Sequence, residues 1–454
     1  MKLLPHQETG VDWLCKTQGG GLFDDMGLGK TVQAAVAAAR VGSKRALVVA
    51  PASLTHNWQR EMTKWARRRC TVVRSGRTRI DPTSPAIVVS HSLLRAENLQ
   101  SQLRLWEPDL VIIDEAHAFR SPTAQQTQAL YGHPGQQFRN GVLAHRPRAW
   151  ALTGTPAPNG SPAEMWTMLS ALAPERVMQD GARMTWWGWR DRFCRLGPSS
   201  YTEDGLRVVG IKEEMKAELH QRLAGFSLRR LKRDVLKDLP PLRWGHVTLD
   251  DTDVDVVGAL RKTDLPAAFV ERVIAAWRSD DESRLEELQK ATEHFARLRR
   301  VCGVLKAPAV SDYLVEELKS EPSKKVVVFV HHVEVGAILV EKLARFGAIA
   351  LHGGVPSLKR QVLVDAFQTD PSVRVIVCQL VAGGVGITLT AAHDVVFVEQ
   401  SWIPGETLQA ADRCHRIGQT QPVLARVFSL ADSIDEFLAE AIHRKTEMLS
   451  DLLL

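Results

Sequence analysis

Asp24-Asp25-Met26-Gly27-Leu28-Gly29-Lys30-Thr31 is the stretch on which the reading of this 454-residue chain turns. Gly27 and Gly29 allow backbone N–H groups to close around phosphate oxygens with no side chain in the way. Lys30 places a positive charge on the β- and γ-phosphates, and the Thr31 hydroxyl suits a magnesium ion. Val32–Arg40 follows, rich in Ala, and breaks at Val41-Gly42, so the loop opens a helix. A helix N-terminus adds its own attraction for anions. Gly21-Leu22-Phe23, just upstream, is short and apolar, as the end of a buried strand is. One position departs from the general phosphate-loop pattern: Asp24 stands where the first glycine is usual.

The totals bound the rest. The length implies two or three domains. With 44% hydrophobic and 24% charged residues the chain can build sizeable cores and needs no metal or disulfide staple. A net charge of +6 permits nucleic acid as a partner without demanding it. Cys15, Cys70, Cys194, Cys302, Cys378 and Cys414 are scattered, with no metal-knuckle spacing, and read as reduced thiols of an intracellular protein. The N-terminal residues hold no apolar signal core. Val375–Ala392 is uncharged, but its glycines favour a strand and a Gly-rich loop over a membrane span.

Short apolar runs follow the loop: Ala46–Ala50, Ile87–Ser90, Leu110–Ile113 and Trp150–Leu152. Such runs, alternating with helical stretches, predict a parallel sheet covered on both faces. Functional residues gather where those strands end. Leu110–Ile113 runs into Asp114-Glu115-Ala116-His117. A carboxylate there is the usual magnesium partner of a phosphate loop, and the adjacent Glu115 can take a proton from an attacking water. Trp150–Leu152 runs into Thr153-Gly154-Thr155-Pro156, which reads as a phosphate-sensing turn or a plain one. Gln7, at the start of an early helix, is a helix-start residue or an amide that reads an adenine edge.

At this point the chain resembles helicase superfamily 2, and within it the SWI/SNF-type DNA-dependent ATPases. The residues that carry the resemblance are the Gln7 segment, Asp24–Thr31, Pro51-Ala52-Ser53-Leu54 with Asn57-Trp58, Asp114–His117 and Leu152–Pro156. Asp at position 24 is the form this family uses. Leu152–Pro241 is most similar to the annealing-helicase, fork-remodelling branch.

The middle of the chain is less regular. Trp186, Trp187 and Trp189 read as packing of a small helical subdomain rather than a base-stacking platform. Leu228–Pro241, with Arg229, Arg230, Lys232 and Arg233, resembles the family's segment between lobes and is given a structural or coupling role first, DNA contact second. A second set of buried-strand runs begins at Val326–Val330 and continues through Ile349–Leu351, Val375–Cys378, Val395–Val398 and Ala425–Phe428. This half carries Ala382–Leu389 and Gln409–Gln419, where Arg413 and Arg416 lie three apart, on one face if helical. Leu380 and Val381 depart from the Thr and basic residue common at these expected DNA-facing positions. His331-His332 reads as structural or DNA-facing.

The resemblance implies two RecA-like lobes with parallel sheets flanked by helices, and a helical insertion between them. The expected division is 1–170 for the ATP-binding lobe, 171–310 for the insertion and linker, 311–432 for the second lobe and 433–454 for a C-terminal helix. It implies ATP and Mg2+ bound through Gln7, Asp25, Met26, Gly27, Leu28, Gly29, Lys30, Thr31 and Asp114. Thr31 and Asp114 hold the metal, Glu115 activates water, and Arg413 and Arg416 act as arginine fingers when a cleft closes. Thr153, Thr155, Gly386 and Gln409 couple the site to motion. Double-stranded or forked DNA is touched near Ser53, Ser90, Gly383, Gly384 and Trp402, through its backbone and without sequence reading. The implied function is an ATP-dependent translocase that remodels DNA structures or protein–DNA complexes, with annealing or fork remodelling as its outlets. A strand-separating DNA or RNA helicase shares the chemistry and stays open as an alternative, and a nucleotide-binding scaffold without turnover stands behind it. The expectation is a monomeric motor in the cytoplasm or nucleoid, or in the nucleus of a eukaryote, and neither secreted nor in a membrane. The chain starts and stops close to its outermost motifs, so the expectation is that a partner protein chooses the substrate or that the motor acts on any duplex.

Overall fold

A computed structural model describes residues 3–136, 138, 140–145, 147–198, 204–249, 256–263, 265–278, 292–380, 387–401 and 403–431. Val381, Gly383, Gly384, Gly386, Trp402 and the expected helix at 433–454 lie outside the described residues. Contacts divide the chain into two compact units. One comprises the described residues within Met1–Arg195 and Val208–Lys237, the other those within Leu196–Arg207 and Asp238–Glu447.

The first unit is built on seven strands: β1 (Gly19–Leu22), β2 (Ala46–Ala50), β3 (Thr71–Val72), β4 (Ala86–Ser90), β5 (Leu110–Asp114), β6 (Arg148–Leu152) and β7 (Ser227–Leu228). Their order is β7-β1-β6-β5-β2-β4-β3, and every pairing is parallel. Side chains of a strand alternate between faces. Leu47, Val49, Ile87, Val89, Val111 and Ile113 accordingly fill one core, while Val48, Val88, Leu110 and Ile112 fill another on the opposite face. Two buried faces explain why these strands read as unbroken apolar runs. Each fully buried Val, Leu or Ile contributes on the order of 1.5–3 kcal/mol relative to exposure. Helices α1 (Pro5–Lys16), α2 (Lys30–Arg40) and α3 (Thr55–Trp65) cover the second face. The chain turns out of α2 at Gly42, whose φ of +66 suits only glycine well.

The second unit repeats the plan. Its strands are β8 (Leu242–Leu249), β9 (Val326–Val330), β10 (Ile349–Leu351), β11 (Val375–Gln379), β12 (Asp394–Phe397) and β13 (Val423–Leu430). The order is β8-β13-β12-β9-β11-β10, again all parallel. Val327, Phe329, Ile376 and Phe397 fill one face, and Val326, Val328, Val330, Val375 and Val377 the other. Both units are RecA-like lobes.

One detail differs from the sequence reading. The stretch 171–310 is shared between the units: β7 extends the first sheet, while β8 and the helix Thr292–Ser320 build onto the second. Short strands such as Ser227–Leu228 carry too little periodicity to be read from sequence. Leu380, which stands where the family commonly has Thr, is 3% exposed and belongs to the second unit's core. Val375–Gln379 is a strand, and among the described residues no helix is long and apolar enough to cross a membrane. Five of the six cysteines are buried and Cys15 is half-buried. In the helix Trp186–Phe193, Trp189 is fully buried and donates its Nε1 hydrogen to the Pro162 carbonyl at 2.9 Å, which is packing. Trp187 stays 47% exposed, with the Arg190 guanidinium 4.6 Å from its ring centre.

Candidate active site

The phosphate loop follows β1 at the carboxyl edge of the first sheet. Gly27 and Gly29 have φ of 84° and 82°, and Gly29 caps α2. Left-handed backbone aims successive N–H groups inward, and side chains other than glycine resist it. Helix α1 is packed against the loop from the other side. Gln7 Nε2 donates to the Leu28 carbonyl at 3.3 Å, and His6 Nε2 lies 3.1 Å from the same oxygen. Gln7 Oε1 accepts from the Leu4 N–H at 3.0 Å, so both ends of the amide are engaged. Lys30 Nζ donates to the carbonyls of Asp24 at 2.7 Å and Asp25 at 3.3 Å. Burial lowers the Lys30 pKa, and Glu115, Asp24, Asp114 and Asp25 oppose it, Glu115 most strongly. The ammonium and the two strand-end acids therefore converge.

Strand β5 ends at Asp114, which is 7% exposed. Its Oδ2 accepts from Trp58 Nε1 at 2.7 Å and its Oδ1 from the Glu115 N–H at 3.1 Å. His91 Nε2 lies 2.9 Å from its carbonyl oxygen, and burial lowers the His91 pKa to about 4, so that ring is neutral. Burial first, then Glu115, push Asp114 up to about 7, against the Trp58 hydrogen bond and Lys30. A buried carboxylate held high by a like charge favours a cation beside it. Glu115 takes a left-handed conformation, with φ of 48° and ψ of 52°. That costs on the order of 1–3 kcal/mol for a non-glycine residue and recurs at functional positions. Asp114 and the Thr31 hydroxyl are hard oxygen donors and fit Mg2+, which takes few protein ligands and keeps its waters.

The turn after β6 joins this cluster. His117 Nδ1 lies 3.0 Å from Thr153 Oγ1 and 3.5 Å from Glu115 Oε2. Thr153 Oγ1 also accepts from the Thr155 N–H at 3.0 Å. Thr153 is fully buried and Thr155 nearly so. Gly154 lets Met26 approach: a Cβ there stands 2.9 Å from Met26 Cγ. Ser53 sits exposed in the turn after β2. Ser90 is 5% exposed, and its hydroxyl lies 3.3 Å from that of Ser92. It is the exposed Ser92 that presents a hydroxyl to solvent at the end of β4.

In the second unit, Arg413 and Arg416 do not share a helix face. The helix Pro404–Ala411 ends before both, and the chain turns so that Cys414 and His415 become buried. His415 Nε2 lies 2.7 Å from the Pro240 carbonyl oxygen, and Gly418 has a φ of 101°. Arg416 Nη1 donates to the Ile387 carbonyl and the Thr388 hydroxyl, both at 2.9 Å. Arg413 and Gln409 are each 8% exposed. The His331-His332 pair is held on Glu399: both backbone N–H groups and His332 Nδ1 contact its carboxylate, at 2.8, 2.9 and 2.6 Å.

The SNF2-related domain matches residues 6–255, over half of the chain, and the helicase conserved C-terminal domain matches residues 309–418. The chain belongs to the SNF2-related family. This family is one of ATPases of helicase superfamily 2 type. The chain is 31% identical to the DNA annealing helicase and endonuclease ZRANB3 of Mus musculus, with 100% of this chain and 41% of that protein covered. It is 30% identical to a Caenorhabditis elegans homolog of the SWI/SNF-related matrix-associated actin-dependent regulator of chromatin subfamily A-like protein 1, with 99% and 62% covered. This SNF2-related chain thus spans about two-fifths of the first and under two thirds of the second. The Sulfolobus solfataricus SWI2/SNF2 ATPase core in complex with dsDNA aligns at 23% identity and a TM-score of 0.44, covering 100% of this chain and 93% of that one.

Four side chains that hold this cluster in place are not legible in the sequence. Trp58 stands within a motif, but nothing local shows that it donates to Asp114. Gln33, which donates to the Leu28 carbonyl at 3.1 Å, Arg230, which donates to Asp24, and His91 carry no local signal as site residues, although Asp24 in a glycine position asks for a buried cation nearby. Within the loop Gly29 is tightly constrained. A Cβ there stands 2.4 Å from Gln7 Nε2, on backbone with φ of +82. Gly29→Ala is expected to weaken nucleotide binding by about tenfold or more, through strain and displacement of Gln7. Titration with a fluorescent ADP analogue reads this directly, and wild-type affinity in the variant removes the loop from the site.

Proposed function

We propose that this chain is an ATP-dependent motor that moves along double-stranded DNA without separating its strands, and so remodels DNA structures or protein–DNA complexes. The convergence of Lys30, Asp114 and Glu115 at the carboxyl edge of the first sheet carries the reading. Gln7 and Asp25–Thr31 bind ATP. Thr31 and Asp114 hold Mg2+, which neutralises charge on the phosphate oxygens when bound. Glu115 takes the proton from the attacking water, and His117 and Thr153 orient Glu115 and pass the state of the phosphate to the turn after β6. Arg413 and Arg416 supply positive charge to the γ-phosphate in the hydrolysing state. The family and the printed name of the mouse relative, an annealing helicase, support duplex or forked DNA as the track. Backbone contact near Ser53, Ser92 and the 383–386 and 402 positions suits a motor that treats all sequences alike. The chain acts as a monomer where DNA is kept, in the nucleoid or nucleus, with a protein partner selecting the substrate.

The test is ATP hydrolysis without nucleic acid and with duplex DNA, forked DNA, single-stranded DNA or RNA. Stimulation by duplex or forked DNA of at least about tenfold supports the motor. Stimulation by single strands or RNA alone, together with unwinding of a tailed duplex, replaces it with a strand-separating helicase. Absence of turnover with all of them leaves a nucleotide-binding scaffold.

A further inference from the structure

We propose that Arg230 is a positioning residue for the phosphate loop, acting through Asp24, and that it straps the loop to the segment leading out of the first unit. The inference rests on the nucleotide site proposed above. Asp24, the residue in the glycine position, is fully buried, and an unpaired carboxylate there is strongly destabilising. Arg230 meets it with both arms of its fork: Nε donates to Oδ1 at 2.9 Å, and Nη2 donates to Oδ2. The same guanidinium donates to Gln33 Oε1 at 2.8 Å and to the His6 carbonyl. Gln33 in turn donates to Asp24 Oδ2 at 3.2 Å and to the Leu28 carbonyl at 3.1 Å. One side chain thus touches α1, the loop and α2, the three elements that shape the phosphate cradle. Bidentate geometry fixes orientation as well as distance.

The backbone reinforces the strap. The Phe23 N–H donates to the Leu228 carbonyl at 2.8 Å, and the Asp25 N–H to that of Arg230 at 2.9 Å. The Lys232 N–H donates to Asp25 Oδ2 at 2.9 Å. The segment then runs to Lys237, where the first unit ends, and Asp238 opens the second. Lys30 also holds the loop's first turn, through the carbonyls of Asp24 and Asp25. A phosphate oxygen competes for that ammonium. Once Lys30 turns to the nucleotide, Arg230 and the Lys232 amide keep the first turn in place, and any shift of that turn moves the segment before Asp238.

The test is a double-mutant cycle on the full chain with Arg230→Gln, Asp24→Asn and the pair together. Four quantities are read: affinity for a fluorescent ADP analogue without DNA, KM and kcat for ATP with duplex DNA, and the unfolding temperature. Each single variant is expected to weaken ADP and raise KM about tenfold, with kcat changed less than about threefold, and the double variant is expected to match one single rather than their product. A purely structural ion pair lowers the unfolding temperature and the active fraction while ADP affinity and KM stay at wild type; that result overturns the proposal, as do effects that multiply in the double variant. Should the single variants not fold, the neutral Asn–Gln pair carries the decision: about tenfold weaker ADP binding supports positioning and wild-type affinity overturns it. Wild-type protein that binds ADP but shows no DNA-stimulated hydrolysis sinks the motor reading and leaves the ADP cycle intact. Wild-type protein that binds no ADP overturns both.

Discussion

Glu115→Gln is expected to abolish ATP turnover while the protein still binds nucleotide. The substitution keeps size and shape, so the left-handed backbone at this position, with φ of 48°, is not asked to change. What disappears is the capacity to accept a proton. Glu115 is the acid that most strongly opposes the burial effect on Lys30, and its Oε2 lies 3.5 Å from His117 Nδ1. It therefore interacts with the loop lysine, with a neighbour that orients it. A positioned general base contributes about 10²- to 10⁴-fold, and a loss of that size in kcat is expected. Affinity for a fluorescent ADP analogue is expected to stay within about threefold, because loop amides and Lys30 carry phosphate binding. Turnover within about fivefold of wild type would transfer the base role to another group, Asp114 being the nearest acid.

Arg416→Ala carries the second large effect. An arginine finger contributes about 10³- to 10⁵-fold in phosphoryl transfer, and a drop of about 10³ in kcat is expected with KM for ATP little changed. Arg416→Lys is expected to rescue little, since an ammonium lacks the planar fork. The structure supplies the necessary control. Arg416 Nη1 donates to the Ile387 carbonyl and the Thr388 hydroxyl at 2.9 Å, so Ala removes two hydrogen bonds inside the second unit as well. Loss of both costs about 1–3 kcal/mol of that unit's stability and is read as a lower unfolding temperature. Single-turnover hydrolysis on protein shown to be folded separates the two roles. If the turnover of the folded fraction is unchanged, Arg416 is a structural residue of the second unit, and Arg413 becomes the sole candidate.

The sequence alone determined the features that local rules govern. Buried parallel strands need apolar side chains on both faces, so Ala46–Ala50, Leu110–Asp114 and Val326–Val330 announce themselves as runs. A phosphate loop needs glycine, lysine and a hydroxyl at fixed spacing, so Gly27, Gly29, Lys30 and Thr31 are legible in eight residues. Asp114 and Glu115 follow because they end a recognisable strand. Tertiary structure decided everything that depends on partners distant along the chain. Arg230 and Asp24 are 206 positions apart, and Trp58 and Asp114 are 56 apart. No periodicity links such residues, because their pairing is set by which strands the sheet brings side by side. The same holds where a side chain changes role with its surroundings. Leu380 turns into a core, Ser90 is buried beside Ser92, and Arg413 and Arg416 lie past the end of the helix, where Cys414 and His415 are buried. Burial of apolar surface is a property of the assembled sheets, and it overrides what three or four neighbouring residues prefer.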